Sequence, residues 1–493
     1  MDKSYDVIVM GGGGSGLAAA VSAAEGDASV LLLEKEPQLG GTTGIAVGSF
    51  TANCTGFQAH AGIDDDLEHH SEDAGKFAAP EIEAHNNGEL RHFFLSHAAE
   101  TLEWLTSMGL RFHGPSPEPP NRVPRMHNVV PGAKAYIAVL QARLLGLGGT
   151  VLCSAPVVDL VMEGGRVVGV VAEVGGGRRE FGADRGVVLA AGDYTNSPEL
   201  ISRFKGEEYR EIEGINPDSK GDGHVLAERA GAKLVNMSVT YGPEIRFVSP
   251  AGRTFQQLLP SRGPIATLMG KVMPLVPKFI MSAMVRRLLV TWQHPENGLF
   301  DEGAVLVNKL GERFCDETVS PEREIAIARQ PDKICYIVLD QQLVEQYSEW
   351  PHFVSTAPRI AYAYVQDYLK LRPDVAVSGP SLTAVATARQ LPDGVLEKAV
   401  VDHNDGCAAS GRRALSGRRW VLLGPAKAYF TTTEGGAAID HQFQVHNEEN
   451  EAIPGLFAVG QNGLGGQILW GHGLHIAWAM TSGRMVGELL TDR

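Results

Sequence analysis

The chain has 493 residues, 44% of them hydrophobic and 20% charged, with a formal net charge of -15. That is a globular composition, long enough for two domains with substantial cores, and its acidity argues against nucleic acid as the main partner. Five scattered cysteines (Cys54, Cys153, Cys315, Cys335, Cys407), with no CxxC and no His/Cys cluster, exclude a disulfide framework and a zinc site, and no metal is expected.

"MDKSYDVIVM" runs straight into a strand with no signal peptide, so a cytoplasmic protein is expected. The stretch "YDVIVMGGGGSGLAAAVSAAE" predicts an apolar strand over residues 6–10 and a small-residue helix over 17–24. Between them lies G-x-G-x-x-G at Gly11, Gly13 and Gly16, with Gly14 and Ser15 inside it. Gly11 permits the tight turn, Gly13 lets the backbone approach a pyrophosphate, and Gly16 allows close helix–strand packing. The helix N-terminus then presents free N–H groups and its dipole to phosphate. "ASVLLLEKE" is a second apolar strand ending at Glu34, which can accept both ribose hydroxyls, with Lys35 beside it. Together these parts predict a dinucleotide site.

"LGGTTGIAVGSF" predicts a second glycine turn. There Gly41, Thr42, Thr43 and Gly44 approach a pyrophosphate, a ribityl chain or a flavin ring. An early site followed by such a turn favours FAD over NAD, held non-covalently because no histidine attachment motif lies near Thr43. Residues 150–190 alternate apolar and polar and read as β-hairpins. "RGVVLAAGDYTNSPELI" is a strand delivering Ala191 and Gly192 to a turn, and "SKGDGHVLAERAGAKLVNM" opens a helix that Asp222 is expected to cap. No second complete G-x-G-x-x-G occurs, so no nicotinamide site is read.

The segment 264–292, "PIATLMGKVMPLVPKFIMSAMVRRLLVTW", is apolar and rich in methionine, but Lys271, Lys278, Arg286, Arg287, Pro274 and Pro277 interrupt it. It is too broken to span a bilayer. It predicts either two amphipathic helices on the core or a hydrophobic lid that admits apolar substrates or touches a membrane surface.

The order "GGGGSG", "LLLEKE", "GGTTG", "VVLAAGDY", "GDGHVLAERAGAKLVNM", "GAVLVNKLGERFCDE" and "GGAAIDHQFQVHNEENEAIPGLFAVGQ" resembles the fumarate reductase/3-ketosteroid dehydrogenase superfamily of FAD enzymes, over nearly the whole chain. The resemblance implies an α/β fold: a discontinuous Rossmann-like FAD domain (1–240 and 431–493) with an inserted α+β cap domain (241–430). It implies that the C-terminal segment returns to the flavin through Gly460 and Gln461, and that a helix starting near Gly473 and Leu474 points at the flavin, favouring its anionic reduced form.

The superfamily divides by substrate. The dicarboxylate signature is poor: "QILWGHG" stands where N-R-L-G-G carries an arginine, threonines replace the paired histidines in "TTTEGG", and Pro321 stands at the proton-donor arginine. Arg323, Arg246 or Arg359 would have to build a new clamp. The ketone signature is partial: Gly473 matches the glycine whose N–H holds a ketone oxygen, but Leu469 and Trp470 replace the expected tyrosine. Trp470 or His472 is expected to supply the second hydrogen bond. Candidate bases are Tyr241, Tyr429, and Tyr362 with Tyr364, the last two spaced for one helix. Tyr136 is expected in the core, His294 is a relay or a loop histidine, and His475 is expected to face away from His472.

The expected activity is FAD-dependent desaturation of a cyclic, steroid- or terpenoid-like ketone, or reduction of the matching enone. The substrate is then apolar and the electron partner open. The alternatives are a fumarate-, urocanate- or tricarballylate-type enzyme, or a flavoprotein subunit of a redox complex.

Overall fold

The computed structural model describes residues 3–250, 259, 263, 268–269, 272, 276–357 and 359–491. Two sheets organise it. The first has eight strands, six of them in the order Gln444–His446, Ala452–Ala458, Gly177–Leu189, Lys3–Met10, Val30–Leu33, Thr150–Leu152. Four of its pairings, linking Ala452–Ala458 through to Thr150–Leu152, are parallel. Strand Val30–Leu33 is buried at every position, as expected of a parallel strand covered on both faces. The hairpins expected over 150–190 are present as Val157–Glu163 and Arg166–Val174, which extend this sheet through Gly177–Leu189.

The N-terminal helix is Gly14–Glu25 and the C-terminal helix is Leu474–Leu489. They pack tightly because Gly483 and Gly487 lie one turn apart on the C-terminal helix. A Cβ on Gly483 would meet the Ser15 carbonyl oxygen at 2.3 Å, and one on Gly487 the Ala19 carbonyl oxygen at 2.7 Å. Such contact is open only to glycine, and it joins the two ends of the chain beside the first glycine turn.

The second sheet has six strands around Trp420–Phe430, which pairs with Glu213–Gly214, Glu244–Phe247, Cys335–Leu339 and Ala376–Gly379. One of its strands therefore comes from before residue 241. Its core is aliphatic, with Leu306, Ile337, Val338, Leu422 and Leu423 fully buried.

Within segment 264–292, the second expected helix is present as Lys278–Trp292 and buries Leu289 and Val290 in this core. Most of the first expected helix lies outside the described residues. No described helix is long and apolar enough to cross a membrane.

A three-stranded sheet, Ser49–Thr51, Met126–Val130 and Arg111–Ser116, carries the loop between its last two strands. That loop carries Glu118 and ends in a buried ion network. Arg125 is fully buried, with its guanidinium on Asp65 at 2.6 Å and on Asp73 at 2.7 Å. Arg122 reaches Asp73 at 3.0 Å. Removing one member leaves uncompensated buried charge. Arg125→Met is therefore expected to cost about 3–5 kcal/mol in urea denaturation; a loss within about 0.5 kcal/mol, the range of ordinary surface changes, would show that the network is not structural.

Candidate active site

A cavity of about 990 Å³ opens at the carboxyl end of strand Lys3–Met10. Among the residues lining it are Gly11, Gly13, Gly14, Ser15, Glu34, Lys35, Gly41, Thr42, Thr43, Gly44, Ala191, Gly192, Asp222, Gly460 and Gln461, all expected from the sequence. Gly11 adopts φ +110° and lies so close to strand Gly177–Leu189's continuation that a Cβ would meet the Ala190 carbonyl oxygen at 2.4 Å. A Cβ on Gly13 finds nothing nearer than the Gly41 Cα at 3.9 Å. Its open side belongs to the cavity.

Glu34 is buried and already engaged. One carboxylate oxygen accepts the Gly12 N–H at 2.6 Å and the other the Glu36 N–H at 2.9 Å. Each oxygen keeps a lone pair for a ribose hydroxyl. Glu34 thus also shapes the glycine turn, a role its position alone does not announce. Asn216 ties Thr42 across the cavity, its Nδ2 donating to Oγ1 at 2.9 Å.

Four expectations are corrected. Asp222 does not cap its helix: Gly221 is the N-cap, in a left-handed conformation, and the Asp222 carboxylate instead pairs with Lys35 at 2.7 Å. Residues Gly41–Ile45 form a one-turn helix, not an open turn. Leu474 is buried in the core, and the first two turns of its helix offer His475, Ile476 and Ala479 to the cavity instead, because a helix can turn only one face to it. Tyr362 and Tyr364 do not share a helix: Tyr362 lies on strand Ala361–Ala363, and Tyr364 is the N-cap of helix Val365–Leu371, its N–H held by the Asp367 carboxylate. Gly16 does what was expected of it, packing against Gly11 and not the cavity.

Beside the cavity the structure assembles a second group. His472 donates through Nδ1 to Glu118 at 2.5 Å, and its backbone N–H reaches the same oxygen at 2.8 Å. The other Glu118 oxygen is buried without a hydrogen-bond partner. Burial opposes the imidazolium, but Glu118, with Glu244 behind it, holds the His472 pKa above the usual histidine value. Since Nδ1 is occupied, Nε2 is the nitrogen left for the cleft, and the ring is half exposed there, at 55%. Gly473, at φ +87°, ends the turn; a Cβ would meet the Ser49 carbonyl at 3.0 Å. Thr51 donates to the His472 carbonyl at 2.7 Å and fixes the turn from the other side.

Trp470 stacks on Tyr241, ring centroids 5.2 Å apart at 23°. Its indole N–H is buried without a partner. Burial, and then Glu244, push the Tyr241 hydroxyl well above its usual pKa, so at neutral pH Tyr241 is a phenol with a proton to share in a hydrogen bond. Tyr241 pairs with Thr432 in a short antiparallel bridge, and Thr431 and Thr432 line the cavity, so the aromatic pair borders it. His475 does diverge from His472: it binds the buried Glu434 at 2.8 Å.

Arg323 and Tyr362 are not brought to this group. The Arg323 guanidinium is buried and held by Glu324, the Glu317 carbonyl and Asn297. Tyr362 packs on Trp350 and Phe353. Arg359 lies exposed, and Tyr429, half-buried, sits on the central strand Trp420–Phe430. Tyr136 is in the core, as expected. Sequence inspection named Arg246 but missed Glu118, which no motif marks, and Glu244, the carboxylate that pairs with Arg246. For the pair a signal existed: the alternation in "EIRF" puts both polar residues on one face.

The FAD binding domain family matches residues 6–247 and 281–468. The chain belongs to this FAD-binding family. The open glycine backbone, the buried acid at the second strand's end and the helix N-termini at the cavity fit FAD. The probable fumarate reductase Ifc3 of Shewanella frigidimarina is 26% identical to this FAD-binding chain over 504 residues, covering 99% of it and 74% of the relative. An open conformation of a flavocytochrome c3 fumarate reductase has a TM-score of 0.73 at 24% identity, covering 99% of this chain and 78% of that one. The 3-ketosteroid-delta4-(5alpha)-dehydrogenase of Rhodococcus jostii RHA1 has a TM-score of 0.61 at 20% identity, covering 100% and 98%. Both structural likenesses are likenesses of fold. The FAD-binding chain is a flavoprotein oxidoreductase.

Proposed function

We propose that this FAD-dependent oxidoreductase acts on a carbon–carbon bond next to the carbonyl of an apolar substrate, as a desaturase or as the reductase of the matching enone. The observation that carries this reading is the Glu118–His472 dyad beside the stacked Trp470–Tyr241 pair. Bound FAD supplies hydride exchange. Gly13, Gly14, Ser15, Glu34, Thr42, Thr43 and Gly460 would hold it.

The chain's own residues handle the carbonyl. Glu118 fixes the His472 ring through Nδ1 and favours its charged form, so Nε2–H donates to the carbonyl oxygen. That donation acidifies the neighbouring C–H in the oxidative direction and stabilises the enolate in the reductive one. The Trp470–Tyr241 pair supplies a flat apolar wall and excludes water. The Tyr241 hydroxyl, kept protonated, is a second donor to the same oxygen.

An anaerobic titration tests this. Saturated cyclic ketones are expected to bleach the oxidised flavin band, or the matching enones to reoxidise the reduced protein. Turnover of fumarate-like acids with no response to any ketone or enone would sink the proposal. Relatives named as fumarate reductases lend weight to the carboxylate alternative. Its strongest residue here is Arg246, which donates to Thr431 at 3.2 Å at the cavity edge.

A further inference from the structure

Strand Glu244–Phe247 alternates strictly. Ile245 and Phe247 are buried in the second sheet's core at 3% and 5% exposure, so Glu244 and Arg246 share the opposite face. On that face Arg246 Nη2 donates to Glu244 Oε2 at 2.8 Å as well as to Thr431. His294 Nδ1 lies 3.7 Å from the same Glu244 oxygen. Arg246 and His294 on this side therefore both face one carboxylate.

We propose that Glu244 is a specificity-determining residue: by engaging Arg246 it denies the cleft a cation for a substrate carboxylate and restricts the substrate to uncharged carbonyl compounds. An acid binding to Arg246 would sit beside the Glu244 carboxylate that already holds it. Like charges brought together in a desolvated cleft oppose binding. Glu244 stays ionised there: burial works against its charge, but His294 and Arg246 hold its pKa below the usual carboxylate value. The proposal rests on the reading of this cleft as a carbonyl site and names its substrate class.

Benzylideneacetone and cinnamate share one skeleton and differ in a methyl ketone against a carboxylate. Binding of each to the FAD-loaded protein is read from the perturbation of the flavin spectrum. The wild-type protein is expected to prefer the ketone by at least about tenfold, and Glu244→Gln to shift that ratio toward the acid by at least about tenfold. Adding Arg246→Gln to Glu244→Gln should remove the shift. Glu244→Ala, read by the same ratio, serves if Glu244→Gln loses its flavin. Equal wild-type binding of the two compounds, or an unchanged ratio in the Glu244 variants, overturns the proposal. A shifted ratio in a protein that turns over no ketone leaves Glu244's role standing and removes the carbonyl chemistry. Ketone turnover with an unshifted ratio does the reverse.

Discussion

Replacing His472 with glutamine is expected to lower turnover by about 10²- to 10³-fold, the usual worth of one positioned hydrogen-bond donor to a developing oxyanion. Flavin content should stay close to wild type, because His472 does not line the FAD cavity. Glu118→Gln makes the sharper experiment. In the wild-type protein the raised pKa keeps the imidazolium present at pH values where a free histidine is already neutral. The sign follows directly. A rate that needs the charged ring is full at low pH and falls as pH rises through that raised pKa. Without the Glu118 charge the pKa drops, so the falling limb of kcat against pH should move to lower pH. An unmoved limb in Glu118→Gln, with His472→Gln fully active, would remove the dyad from the chemistry.

Gly13→Val is expected to yield folded, colourless protein. The nearest atom to a Cβ at Gly13 is 3.9 Å away, so the added side chain meets no wall of the fold and projects into the cavity. Gly16→Val is the contrasting control, because its Cβ would sit 1.9 Å from the Gly11 carbonyl oxygen and force the helix off the strand. The first should lose flavin absorbance and only the stability that bound ligand adds; the second should lose the fold as well. Thermal melts and absorbance spectra of the purified variants separate the two. Yellow Gly13→Val protein would mean that the phosphates of the cofactor do not pass over this turn.

The FAD half of the molecule was legible because its signals are local. A strand, a turn with φ open only to glycine, a helix N-terminus and an acid at the next strand's end succeed one another within 34 residues. Backbone sterics decide each of them, and no distant partner is needed. The same holds for the hairpins over 150–190 and for the helix that follows Gly473.

Local signals failed where a side chain chose between partners. Asp222 has the chemistry of a cap, but Lys35 lies close enough to take its carboxylate. The spacing of Tyr362 and Tyr364 suits a helix, but strand pairing of Ala361–Ala363 with Ser355–Ala357 claims the first of them. Arg323 looked available for a carboxylate clamp and is instead buried against Glu324.

The chain's own order of residues thus determined the cofactor, the fold class and the turn at Gly473. Tertiary structure alone decided that Glu118 meets His472 across 354 positions and that Tyr241 stacks on Trp470. The physical reason is range. Glycine turns and helix ends act within a few residues, whereas the charge state of a histidine is set by whichever carboxylate the fold brings to it through a low-dielectric space.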